Sequence, residues 1–467
     1  MVLSVAGTAF GNDRWNVVLI TVDDMNCDSV GVFGCPIENI TPNIDRLAAE
    51  GIRFEHAHVT IAICQPTRAV WMTGRYPHQN GALGFDPINP DVPTLVEQLK
   101  NAGYFTAILG KTTHVVPTRK HAWDMRIPVK RLGNGRNPKR YARHAKKAIE
   151  DAKRADKPFF LMANAHDPHR PFAGSPQESR RKLKGDKFPK ASRKFGPKDV
   201  PIPGFLPNLS EIRKEMAEYY ASVHRADQTV GAIISTLEST GVADQTIVIF
   251  MSDHGMPLPF AKTNCWRHST KTPWIVRWPQ TVKAGTVDSH SLVSGIDLAP
   301  SILDAVGVEN LPNVDGRSIV PILKGHPQTD REYIVTYINR TSGKKEFPMR
   351  AIHNQRFGYI FNAWADGKTT FKNESQNGRT MKAMKQAAES DETTAARVQH
   401  FLYRCDEELY DYQQDPDALN NLVDQPQHKT LLDRLRRALL EQMIQSDDPQ
   451  RKAFETMLAE RNVSTGN

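Results

Sequence analysis

Asn16-Val17-Val18-Leu19-Ile20-Thr21-Val22-Asp23-Asp24 is the stretch on which the fold turns. Its apolar run is rich in β-branched residues and does not alternate with polar ones, the pattern of a strand buried on both faces. Two carboxylates follow without a break. A strand ending this way sets both acids at the carboxyl edge of a sheet, where open α/β folds collect their ligands.

Outward from this stretch, strands and helices alternate. Thr41 to Gly51 reads as a helix with Ile44, Leu47 and Ala48 on one face and Gly51 closing it. Thr94 to Ala102 reads as a second helix. Phe105 to Leu109, Pro158 to Ala163 and Gln245 to Met251 read as strands, with a long helix from Leu209 to Ser239 before the last. The alternation predicts an α/β fold, a large mixed, mostly parallel sheet flanked by helices. Residues Phe172 to Pro207 interrupt it and read as a long basic loop, with nine Lys or Arg between Arg180 and Lys198. Two readings stand for it, a solvated insertion or an anion-facing rim of the site.

From about Val335 the texture changes. Met349 to Ile352 and Gly358 to Phe361 are short strand-like runs. Lys429 to Met443 carries Leu431, Leu432, Leu435, Leu439 and Leu440 at helical spacing, a core-facing stripe. These predict a smaller C-terminal α+β domain with an antiparallel sheet. The expected division is a tail or signal remnant over 1–15, a large domain over 16–335 and the smaller one over 336–467.

The bulk numbers narrow the partners. With 467 residues, 39% of them hydrophobic, the chain can bury one large core and a smaller one. Lys and Arg number 61 against 52 Asp and Glu, a net charge of +9, so anionic partners are concentrated near the surface. No run of about 18 apolar residues occurs, so no membrane-spanning helix is expected. No helix-turn-helix, zinc or aromatic-plus-basic pattern marks a nucleic-acid binder. Met1 to Phe10 is mildly apolar but lacks the basic start of a signal peptide. The five cysteines show no Cys-x-x-Cys spacing, and one disulfide, for instance Cys27 with Cys35, fits their number.

Polar residues follow four of the predicted strands: Asp23-Asp24, then Lys111 and His114, then His166-Asp167-Pro168-His169-Arg170, then Asp253-His254. One such set would pass for an N-cap or a turn. Four sets at four strand ends point to a site. Adjacent carboxylates repel unless a cation or proton lies between them. An oxygen-rich cluster with one imidazole suits a hard divalent ion such as calcium or magnesium. Cys64, in Cys64-Gln65-Pro66-Thr67-Arg68, supplies a nucleophile beside a fixed cation. His56, His58 and His78 read as packing residues, and Trp71 and Met72 as a buried helix face.

Cys64-Gln65-Pro66-Thr67-Arg68 followed by Thr73-Gly74 resembles the signature of the formylglycine-dependent sulfatases, in the alkaline-phosphatase-like superfamily. The resemblance extends through Thr41-Pro42-Asn43-Ile44-Asp45-Arg46-Leu47, Gly103-Tyr104-Phe105-Thr106 to Gly110-Lys111, Tyr219 to Val223, and Glu408-Leu409-Tyr410-Asp411. Within the family it leans toward the sulfamidases, or heparan N-sulfatases. That lean rests on His166 to Arg170, Ser252 to Pro259 and Pro348-Met349-Arg350. The resemblance implies a sulfuric ester hydrolase acting on a sulfated glycan, as an O-sulfate ester or as N-sulfoglucosamine. Cys64 would be oxidised to formylglycine by a formylglycine-generating or anaerobic maturase enzyme. One hydroxyl of its hydrate would attack sulfur, and loss of a proton from the other would release the sulfate.

Carried over by position, Asp23, Asp24, Asp253 and His254 would hold Ca2+, Mg2+ being the lesser candidate, together with residue 64. Arg68 and Lys111 would neutralise charge, as fixed cations do where anion character builds. His114 would accept a proton, His166 would protonate the leaving group, and Lys262 would clamp the sulfate. From their place in the chain, His169 and Arg170, at the active-site edge of the sheet, would bind the rest of the substrate, and Arg267 and His268 either reach it too or lie in a surface loop. Two departures stand out. Thr112 and Thr113 both separate Lys111 from His114, where one residue is usual, and His254 stands where sulfamidases carry Asn. The substrate class implies an exported protein, periplasmic or extracellular, or a lysosomal one. A phosphonate or phosphodiester hydrolase of the same superfamily and a catalytically silent polyanion-binding protein are the competing expectations.

Overall fold

The computed structural model of the chain describes residues 14–114 and 122–461, so most of the expected tail over 1–15 lies outside the described residues. The larger sheet is built from β1 (Asn16–Asp23), β2 (Ile52–His58), β3 (Phe105–Leu109), β4 (Met125–Ile127), β5 (Phe159–Pro168), β6 (Thr246–Ser252), β7 (Trp274–Arg277) and β8 (Thr286–Ser294). Its order is β4-β3-β5-β1-β6-β7-β2-β8. β1 runs parallel to both neighbours, β5 and β6, while β7 is antiparallel to β6 and β2. The sheet is therefore mixed and mostly parallel, as the alternation implies.

Every residue of β1 is buried. Val18, Ile20 and Val22 enter the core on one face, and Val17 and Leu19 the core on the other. A side chain of this kind contributes about 1.5–3 kcal/mol when taken fully out of water. The helix Ser210–Ser239 covers the first face through Met216, Val223, Val230 and Ile233.

Three expectations need correction. Gly51 does not close its helix as a left-handed cap; the helix Pro42–Ala49 ends at Glu50. A Cβ at Gly51 would sit 2.3 Å from the Val276 carbonyl oxygen, so the glycine serves the approach of β7. The basic stretch is not all loop either, since Pro176–Leu183 forms a helix with the Ser175 hydroxyl accepting from the Glu178 amide. The five cysteines are free, so Cys27 and Cys35 are not joined.

The smaller sheet comprises β9 (Ile334–Arg340), β10 (Glu346–His353), β11 (Phe357–Asn362) and β12 (Glu407–Asp411), all antiparallel in the order β12-β11-β10-β9. Leu432, Leu435, Leu439 and Leu440 of the helix Lys429–Gln445 cover one face. Ile338, Met349, Ala351, Ile360 and Tyr410 on the other face join the main core. Buried Glu408 ties the two sheets together. It accepts from Trp266 Nε1 at 2.7 Å, Tyr410 hydroxyl at 2.6 Å and Asn362 Nδ2 at 2.7 Å. Burial alone would raise its carboxyl, but His400 and Arg404 outweigh that and hold it well below the carboxylate range. Trp266 belongs to the loop that carries Lys262, so this joint also fixes one wall of the site.

Candidate active site

Parallel pairing places the polar residues. Val22 of β1 registers with Ser252 of β6, so Asp23-Asp24 and Asp253-His254 emerge side by side. β5 and β3 lie on the other flank of β1 and deliver His166 and Lys111 to the same edge. Cys64 opens the helix Cys64–Thr73 and points into this group. Asp24 and Lys111 hold left-handed backbone, φ 68° and 48°, conformations that persist only where the surroundings fix them. For Asp24 the fixing contact is its own amide, which donates to Asp253 Oδ1 at 3.0 Å. Lys111 follows Gly110, itself at φ 74°, where a Cβ would lie 2.4 Å from the Asn164 carbonyl oxygen.

Ligand atoms of Asp23, Cys64, Asp253 and His254 all lie within 4.8 Å of one another, and all four residues are buried. Asp24 Oδ1 lies 3.3 Å from His254 Nε2, which is 3.4 Å from Cys64 Sγ. His254 Nδ1 is 3.0 Å from the Gly255 carbonyl oxygen, an acceptor, so Nδ1 carries the proton and Nε2 turns its lone pair into the cluster. Asp23 Oδ1 and Asp24 Oδ2 are buried without any hydrogen-bond partner among the described residues. Orphaned carboxylate oxygens beside an imidazole lone pair are what a hard divalent cation satisfies. The donor set fits such an ion.

Three cations surround these acids. Arg68 NH1 pairs with Asp253 Oδ2 and donates to the Cys64 carbonyl oxygen at 3.1 Å. Lys111 pairs with Asp23. Lys262 pairs with Asp24 at 2.7 Å and lies 3.8 Å from Cys64 Sγ. Burial would raise Asp23, but Lys111, His169, Arg68 and His166 outweigh it and hold the group well below the carboxylate range. Asp253 goes the other way, raised by burial and by Asp23. Burial and then Asp23 also push the Cys64 thiol well above its ordinary value.

The histidines flank this core. His166 Nδ1 is 3.4 Å from Asp23 Oδ2, and His169 Nε2 is 3.8 Å from Asp24 Oδ2. Burial and then Lys111 hold His166 well below the imidazole range, and burial with Lys111 and Arg68 brings His114 down to about 2. Both rings are neutral. The His114 amide donates to the Lys111 carbonyl oxygen at 2.9 Å, and its ring meets Phe85 edge-on at 5.9 Å.

The outer residues part company. Arg170 pairs with Glu215 at 2.9 Å and donates to the Pro257 carbonyl oxygen, so its guanidinium braces the long helix. Arg267 and His268 line a separate cavity of about 370 Å3 with Cys27, Asp28, Tyr220 and Asp417, shared with none of the ligand residues. There Arg267 lies over the Tyr412 ring at 5.6 Å, and His268 Nε2 is 3.1 Å from Asp417. His58 stacks on His353 at 5.3 Å, and His78 bonds the Ser446 carbonyl oxygen, both packing roles.

Three residues at the site carry no motif signal. Glu374, from the chain between β11 and β12, contacts Lys262, while Asn373 Nδ2 donates to the Lys262 carbonyl oxygen at 3.0 Å. Asn164 accepts from Thr21 at 2.8 Å and from Arg68 Nε at 3.5 Å, bracing the arginine. Asp167 stood inside a quoted motif but without a role; it is bound by Arg136 Nε at 3.0 Å and Arg225 Nε at 2.6 Å, which fixes the backbone between His166 and His169.

Residues 15–308 match the family described as Sulfatase. The chain belongs to the sulfatase family. Residues 253–396 match a second description, N-sulphoglucosamine sulphohydrolase, C-terminal, in line with the sulfamidase-like segments. Among sulfatases, the N-sulphoglucosamine sulphohydrolase of Homo sapiens is 31% identical over 475 residues, covering 93% of this chain and 91% of that protein. An ulvan-active sulfatase of Formosa agariphila is 27% identical and covers 91% of this chain and 74% of that protein. A structure solved with its substrate D-glucosamine-2-N,6-O-disulfate superposes with a TM-score of 0.70 at 21% identity, over 94% of this chain and 99% of that one. The phosphonate monoester hydrolase of Agrobacterium radiobacter superposes at 0.67 with 18% identity, over 93% and 96%. At these identities the structural likeness is one of fold. Among the described residues, no helix is long and apolar enough to cross a membrane.

Proposed function

We propose that this sulfatase-family protein removes sulfate from a sulfated carbohydrate, using formylglycine at position 64 and a calcium ion held by Asp23, Asp24, Asp253 and His254. The observation that carries the reading is the convergence on Cys64 Sγ of buried, under-satisfied carboxylates, one imidazole lone pair and three fixed cations. Calcium there would supply positive charge opposite the sulfate and offset the mutual repulsion of the acids.

In this reading Lys262 and Lys111 grip the sulfate oxygens, and Arg68 stabilises negative charge on the group at position 64. Neutral His114 stands ready to take a proton from that group. The bound sulfate brings negative charge beside His166, which favours its protonated form and prepares it to protonate the leaving oxygen or nitrogen. N-sulfoglucosamine is the first substrate class, supported by the names of the relatives, and O-sulfate esters are the second, since His254 departs from the sulfamidase Asn. His169 would face the sugar. The large domain is assigned to 16–335 and the smaller to 336–467, and the substrate class implies export. The test is mass analysis of the Cys64 peptide from the native host, paired with sulfate release from N- and O-sulfated glycans. An unmodified thiol with undiminished sulfate release would sink the mechanism, and turnover of aryl phosphonates above aryl sulfates would sink the substrate class.

A further inference from the structure

The positive charge of this protein is not spread over its surface. Between Arg180 and Lys198 stand nine Lys or Arg against the single acid Asp186, so this stretch carries eight of the nine excess charges of the whole chain. The other 448 residues are nearly neutral in sum. Arg180, Lys184, Lys187, Lys190, Lys194 and Lys198 are exposed, and none forms an ion pair among the described residues. Like charges this dense repel one another, and a sequence that keeps them together needs a compensating gain.

The stretch is also built to hold its shape. The Phe188 ring is buried between Arg136 and Arg181, with guanidinium carbons 5.1 and 5.4 Å from its centroid. Arg225 donates to the Pro189 carbonyl oxygen at 2.8 Å, Arg193 to the Glu38 carbonyl oxygen at 2.7 Å, and Arg213 to the Pro197 carbonyl oxygen at 3.2 Å. Its anchors lead straight to the active site. Arg136 and Arg225 both clasp Asp167, and Arg136 NH2 donates to the His169 carbonyl oxygen at 2.9 Å. The charged platform therefore begins beside the His166–His169 edge and shares its supports.

We propose that the 180–198 platform is a binding surface for the rest of a sulfated polysaccharide chain whose terminal sulfate enters the site. The natural substrate is then a polymer and not a free sugar. This rests on the sulfatase reading and adds a second attachment to it. The platform recognises spaced anionic groups and not one sugar, because flexible lysines act as point charges and release counterions from a polyanion on binding.

The test uses the full chain and a variant with Lys184, Lys187, Lys190 and Lys194 all changed to Ser, each outside the catalytic group. Both are measured on immobilised heparin and assayed on an N-sulfated oligosaccharide and on N-sulfoglucosamine. Each lysine lost from an anionic contact costs about twofold to fivefold, so with all four removed the variant's KM for the oligosaccharide should rise by about 20-fold or more. Its kcat/KM for the monosaccharide and its Tm should stay unchanged. The parent should lose affinity for heparin steeply between about 50 and about 200 mM salt, and the variant far less. An unchanged oligosaccharide KM overturns the proposal. So does a variant that loses heparin yet turns over the oligosaccharide like the parent, for the platform would then serve another polyanion such as DNA or an anionic vesicle. A parent that hydrolyses neither substrate but holds heparin through these lysines refutes the N-sulfate reading of the site and leaves the platform standing.

Discussion

Calcium removal gives a test of the site that does not depend on turnover. Three buried carboxylates, Asp23, Asp24 and Asp253, converge near Cys64, and three of their oxygens, both of Asp23 and Oδ2 of Asp24, lack a hydrogen bond among the described residues, Asp23 Oδ2 being ion-paired with Lys111. A ligand that binds only the folded state stabilises it by about 2.7 kcal/mol at a hundredfold excess over Kd, and about 4.1 at a thousandfold. Unfolding entropy near 2.1 cal/mol/K per residue gives about 1 kcal/mol/K for this chain of 467 residues. Titrating calcium into protein stripped with a chelator should therefore raise Tm by about 3 °C at the hundredfold point, and by about 1.4 °C for each further tenfold. Differential scanning calorimetry reads this on protein with Cys64 modified or not. Asp24→Ala and His254→Ala should each abolish the rise. A Tm indifferent to both calcium and magnesium would refute the assignment, and so would a rise that survives in both variants.

Cys64→Ala should lower sulfate release at least ~10^4-fold while the chain still melts cooperatively, because the residue supplies the attacking group and little core volume. Arg68→Lys keeps the charge but loses the rigid guanidinium whose NH1 donates to Asp253 and the Cys64 carbonyl while Nε reaches Asn164, and kcat/KM should fall about 10^2-fold. Glu374→Gln should raise KM about fivefold with kcat nearly constant, a modest effect because the Glu374 side chain is 33% exposed. Burial would raise Glu374, but Lys262 outweighs it and holds it at about 2. Its attraction for Lys262 is thus fully present above the ordinary carboxyl value and fades only as pH falls toward about 2, so the same KM ratio should be found at neutral and mildly acidic pH. Leu439→Ala, in the core behind the small sheet, should cost about 2–5 kcal/mol and about 2–5 °C in Tm while the calcium-induced rise persists.

Local signals carried the sequence reading a long way. Phe105–Leu109 was legible to the residue, and β1 and the helix Ser210–Ser239 nearly so, because burial on one or both faces writes itself into residue spacing. The grouping of acids and imidazole was legible for a related reason, since each of these strand-end residues follows an apolar run directly and a parallel sheet aligns such ends. Pairing order was not legible. β7 inserts antiparallel between β6 and β2 through contacts such as Val276 with Gly51, and nothing local in either stretch names the other. The role of Gly51 was misread for that reason.

By itself, then, the sequence determined the fold class and the strand-end acids and imidazole that the fold gathers beside Cys64, all properties of short segments. Tertiary structure decided where long side chains end. Arg170 could have faced substrate, but Glu215 from the long helix claims it. Arg267 and His268 turn to a different cavity, and Glu374 arrives at Lys262 from more than a hundred residues away. A long charged side chain goes to whichever opposite charge folding brings within reach, and that partner is fixed by chain topology and not by its neighbours in sequence.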